Sequence, residues 1–126
     1  PLNVHSRSAG RHAVALLLEE RARRVQMHAF DGKVSAALQG VEAGFLFSVP
    51  PSVVRSRQKQ KLARALPLDA LLLESDSPVL GPVPGERNEP ANLLIAADAV
   101  AGLRGLPRER VLEAAAENAT RLYGPG

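Results

Sequence analysis

One pattern recurs four times along the chain: a short apolar run, a polar turn, then a segment with helical spacing. Leu2 to Val4 leads into a helix expected from about Gly10 to Arg23, with Ser8 as its N-cap. Val14, Leu17, Leu18 and Ala22 repeat there at the helical period. Val25 to His28 is the second run, and past Asp31-Gly32 comes a helix carrying Val34, Ala37, Leu38 and Val41. Gly44 ends that helix, since glycine tolerates the left-handed backbone such ends require. Phe45 to Val49 is the third run; Pro50-Pro51 breaks it, and a helix is expected from about Val53 to Leu66. The fourth, Leu71 to Glu74, enters a loop rich in Pro and Gly between Asp76 and Pro90. Two helices close the chain, roughly Ala91 to Leu103 and Pro107 to Tyr123, with Pro107 in the first turn where a missing N–H costs nothing.

Strands alternating with helices imply parallel strands joined by right-handed crossovers, with helices over the sheet. The runs read as continuous apolar stretches, as expected of strands buried on both faces. A complete (β/α)8 barrel takes about 250 residues, so four units in 126 residues make about half of one. A small doubly wound sheet of flavodoxin type fits the same pattern. With 45% apolar residues the chain has enough material for one core, and residues 1–126 are read as a single domain. Pro1 to His5 reads as the middle of a strand, which suggests that an upstream part of a larger domain is missing. The chain has no cysteine, which excludes disulfides, thiolate metal sites and a cysteine nucleophile, and favours an intracellular setting. No apolar run approaches the roughly 20 residues of a membrane span, and no stable protein partner is expected.

The placement of polar residues tips the balance towards the barrel. His5 ends the first run, His28 ends the second, and Asp76 lies just past the fourth. In a barrel the functional side chains gather at the C-terminal ends of the strands. Two imidazoles and a carboxylate meeting there suit Zn, Mn or a similar cation. On spacing alone, a metal site and a set of ordinary strand-end polar residues both remain open. The basic run from Arg55 to Arg64 places Arg57, Lys61 and Arg64 on one helical stripe, read here as a solvated outward face. Aromatic residues make up 3% of the chain, too few for a base-stacking platform. His12 reads as a surface residue, and Ser48, Ser52, Ser75 and Ser77 lack the surroundings of an activated nucleophile.

Four stretches then carry a family resemblance: Asn3-Val4-His5-Ser6-Arg7, Met27-His28-Ala29-Phe30-Asp31-Gly32, Leu73-Glu74-Ser75-Asp76-Ser77-Pro78 and Arg87-Asn88-Glu89-Pro90. In this order, over nearly the whole chain, they resemble successive signatures of the TatD deoxyribonucleases. Phe47 to Ser52 and Gln58 to Leu62 are most similar to an animal branch of that family. The resemblance implies an α/β fold, a TIM (β/α)8 barrel of the amidohydrolase superfamily, here its C-terminal four β/α units plus a terminal helix. It also implies one or two divalent metals (Zn, Mn or Mg) and hydrolysis of phosphodiester bonds, with DNA as the substrate. His5 and His28 match the metal histidines of the family's fifth and sixth strands. Asp76 matches the aspartate of the eighth, a metal ligand that also orients or deprotonates the attacking water. Glu74 matches the family's acidic residue two positions before Asp76; strand alternation points it to the same face, which fits a role in supporting the metal ligands.

Arg7 and Arg87 are candidates for phosphate binding, although Arg7 could instead pair with a carboxylate. Asn88 and Glu89 read as caps of the following helix. The family's first-strand His-x-His pair and fourth-strand Glu have no counterpart in this sequence. Three readings follow: a metal-dependent deoxyribonuclease, a non-catalytic truncated form lacking those ligands, or an amide or ester hydrolase of the same superfamily.

Overall fold

A computed structural model describes residues 1–5, 10–28, 30, 32–74 and 92–124. Four strands, β1 (Leu2–His5), β2 (Val25–His28), β3 (Leu46–Val49) and β4 (Leu71–Leu73), form one parallel sheet in the order β1-β2-β3-β4. The connections carry α1 (Gly10–Glu19), α2 (Val34–Glu42) and α3 (Arg57–Ala65); α4 (Leu93–Arg104) and α5 (Arg108–Tyr123) follow β4. The chain therefore adds each new strand beside the last, as a barrel does. A doubly wound sheet of flavodoxin type reverses its strand order instead.

Three expected boundaries need correction. The first helix stops at Glu19 instead of Arg23 because Arg21 takes the left-handed conformation, φ 54°. Ala22 N–H then bonds Leu17 O and Arg21 N–H bonds Leu18 O, the pair of bonds that closes a Schellman end. Gly44 closes α2 in the same manner at φ 89°, as expected. The helix expected from Val53 to Leu66 is divided: Pro51–Val54 form a 3-10 turn, and α3 starts only after Ser56. Ser56 Oγ accepts from Lys59 N–H at 3.2 Å, so a new N-cap interrupts the run. Pro107 is the N-cap of α5, one position ahead of its expected place.

β2, β3 and β4 are buried on both faces, as expected, with Gln26 and Ser48 as buried polar residues, whereas β1 is mostly exposed. One face of the sheet bears Val25, Met27, Phe47, Val49 and Leu71, packed under α1 to α4 in two adjoining apolar clusters. Phe30 and Phe47 meet edge to face at 5.1 Å and 83°. Gly40 lets α2 approach this face closely: a Cβ there would lie 2.9 Å from Phe45 and 3.0 Å from Phe47.

Register places Asn3, His5, Gln26, His28, Leu46, Ser48, Leu72 and Glu74 on the opposite, inner face. At the strand starts that face is covered by α5. Leu122 packs on Leu46 and Leu72, and Tyr123 Oη donates to Gln26 Oε1. Asn118 Nδ2 donates to Leu68 O at 2.9 Å and Leu71 O at 2.8 Å, anchoring the helix to the start of β4. Arg24 donates to Leu122 O from the turn before β2. Among the described residues no helix is long and apolar enough to cross a membrane.

Candidate metal centre

The inner face changes character along the strands. Leucines and Gln26 lie under α5, and at the C-terminal ends stand His5, His28 and Glu74. His5 and His28 are direct partners in the β1–β2 register, so parallel pairing alone sets their rings side by side. The ring centroids are 5.6 Å apart and the planes are tilted by 52°. His5 is exposed, and His28 is partly buried with a side chain 22% accessible.

Glu74 follows β4 directly, and its N–H continues the ladder by bonding Val49 O at 3.1 Å. Its side chain is buried and returns across the sheet to His28, with Oε2 at 2.5 Å from Nδ1. Two strand spacings of about 4.8 Å each separate β2 from β4. The small side chain on β3 between them, Ser48, leaves room for that reach. A contact this close between a ring nitrogen and a carboxylate oxygen is favourable when Nδ1 carries a proton, because two lone pairs would repel one another. With Nδ1 carrying that proton, Nε2 of a neutral His28 is left as the ligating nitrogen. A carboxylate holding the far nitrogen of a histidine is the usual support of a metal-bound imidazole, so the donor chemistry of His28 and Glu74 fits a cation.

The structure thus brings together His5, His28 and Glu74 of the residues singled out in the sequence. Asp76, Arg7 and Arg87 lie outside the described residues, as do the capping candidates Ser8, Asn88 and Glu89. Among the described residues no group of three His, Cys, Asp or Glu side chains converges closely enough to hold a metal ion. His12 lies on the exposed side of α1, as expected. Lys33 was not singled out in the sequence; it lies at the start of α2, beside the basic residues of α3.

Parallel βα units in sequential order, with ionisable side chains gathered at the strand ends, are the architecture of a TIM barrel, present here in part. A crystal structure of YJJV, the TatD homologue of Escherichia coli K12, superposes on 98% of this chain with a TM-score of 0.88 at 24% identity. The match takes up 50% of that structure. The sequence profile described as "TatD related DNase" matches residues 1–124, and the chain belongs to this family. The human deoxyribonuclease TATDN3 is 52% identical over 123 residues, covering 98% of this chain and 45% of its own length. The uncharacterized metal-dependent hydrolase YabD of Bacillus subtilis is 33% identical over 129 residues, 51% of its length. The chain thus spans about half the length of these relatives.

Proposed function

We propose that this chain supplies metal ligands and a catalytic acid–base residue to a divalent-metal-dependent hydrolase that cleaves the phosphodiester bonds of DNA. The observation that carries this reading is the 2.5 Å contact of His28 Nδ1 with the buried Glu74 carboxylate, beside the ring of His5. The names of the relatives support it: one is a deoxyribonuclease and another a metal-dependent hydrolase.

His5 and His28 would hold the cation through ring nitrogens, with Asp76 as the third ligand. A bound cation of the Zn, Mn or Mg kind supplies an activated water and polarises the phosphoryl oxygen. Asp76 would accept the proton released by that water. Arg7 and Arg87 would offset the negative charge that accumulates on the phosphate. Glu74 remains a positioning residue: it fixes the tautomer and ring orientation of His28.

The test is cleavage of DNA by the purified protein when zinc, manganese or magnesium is supplied, and its loss on chelation. Hydrolysis of carboxylic esters or amides with DNA left intact would move the assignment to another bond, and failure to bind any of the three cations would overturn it. A second measurement isolates Glu74. Glu74→Gln is expected to weaken metal affinity about 10- to 100-fold, the usual cost of losing an outer partner of a metal-bound histidine. Titration calorimetry with zinc reads this directly, and an unchanged affinity would leave Glu74 without the positioning role.

A further inference from the structure

We propose that the cleft between the β2–α2 and β3–α3 connections is a groove for the phosphate backbone of a nucleic-acid strand, leading it to the histidine edge. The cleft has a volume of about 480 Å³ and is lined by Gly32, Lys33, Val34, Arg57, Gln58 and Lys61. Three of those six residues are cationic and none is acidic. Lys33, Arg57 and Lys61 are all exposed, and among the described residues no carboxylate pairs with any of them. Three unneutralised like charges around one concavity repel one another, and an anion in the cleft relieves that repulsion.

Geometry favours a polyanion over a single small ion. Arg57 and Lys61 share one stripe of α3, about 6 Å apart along its axis, and Lys33 faces them from the other connection. Such a row meets successive charges of a chain. The walls are held together: Gln58 Nε2 donates to Gly32 O, tying the start of α3 to the loop before α2.

The location joins the cleft to the site. Both connections leave the C-terminal ends of their strands, where His28 and Glu74 stand. Gly32 follows His28 by four residues, so its backbone lies at most about 14 Å away. Phosphates in the cleft would belong to nucleotides near the reacting bond without being the reacting group. The outward stripe of α3 therefore divides. Arg64, one turn further from the strand ends, is not part of the cleft lining, whereas Arg57 and Lys61 are. The inference rests on the proposed DNA substrate and deepens it.

Binding of a labelled single-stranded oligonucleotide, followed by fluorescence anisotropy over a salt series without added divalent metal, tests it. The variant combining Lys33→Gln, Arg57→Gln and Lys61→Gln is expected to bind at least about tenfold more weakly at low salt. The slope of log affinity against log salt should fall by about two, near 0.7 for each lost phosphate contact. A charge-matched variant with Arg23→Gln, Arg108→Gln and Arg110→Gln, at the opposite end of the strands, is expected to stay within about twofold of the parent. Lys33→Arg with Lys61→Arg keeps the charges and should keep the binding. Equal losses in the two glutamine variants would reduce the effect to net charge and overturn the groove. So would a folded cleft variant with unchanged affinity and slope. If the parent cleaves DNA while the cleft variant binds normally, the groove alone fails; if the parent neither binds nor cleaves DNA, the substrate assignment falls with it.

Discussion

Replacing Asp76 with asparagine is expected to lower the rate of DNA hydrolysis by about 10²- to 10⁴-fold, the usual contribution of a positioned general base. The amide keeps the size of the side chain and an oxygen that can still face a cation, but it cannot take a proton at neutral pH. The loss should therefore fall on turnover far more than on substrate affinity. Glu74→Gln acts through His28 and should be felt first as weaker metal binding, so that raising the metal concentration recovers most of its activity. No such recovery is expected for Asp76→Asn. Steady-state kinetics of both variants across a metal titration separate the two roles. A saturating metal concentration that restores Asp76→Asn to the parental rate would end the assignment of Asp76 as base.

Phe47→Ala should have the largest effect on stability. Phe47 is fully buried on β3, meets the edge of Phe30 and lies against Gly40 of α2. Truncating such a residue removes transfer free energy and leaves a cavity, at a cost of about 3–5 kcal/mol. Domains of this kind have about 5–15 kcal/mol in total. The variant should unfold at much lower urea than the parent, with the slope of the transition nearly unchanged if only the native state is affected. Met27→Leu, a near-isosteric swap in the same cluster, should cost less than about 1.5 kcal/mol. Equal midpoints for Phe47→Ala and the parent would show that this cluster does not hold the sheet to its helices.

The sheet was legible because each strand is an apolar run set between turn residues, and each run led into a helical period. Helix ends were less legible. Nothing in Glu20-Arg21-Ala22 marks Arg21 for a left-handed backbone, since the usual signal is glycine, as at Gly44. Ser56 was hidden among charged residues, yet its hydroxyl captures Lys59 N–H and starts α3 afresh. At the site, strand alternation was enough to put Glu74 on the inner face. Its contact with His28 depends on a reach across β3, which no local pattern reveals. The roles given to Asp76, Arg7 and Arg87 came from motif resemblance. The cationic cleft was illegible because Lys33 and Arg57 are far apart in sequence and meet only through the packing of neighbouring βα units.

The docking of α5 has one more outcome. Leu122 and Tyr123 put a floor under the starts of β2, β3 and β4, so the inner face is covered there from below. His5 and His28 stand at the opposite ends of the strands, away from that floor. Polar loops can be exchanged there without unseating the floor, whereas a bulky change at Ala119 or Leu122 would disturb the floor and, through the strands resting on it, displace His28 and Glu74.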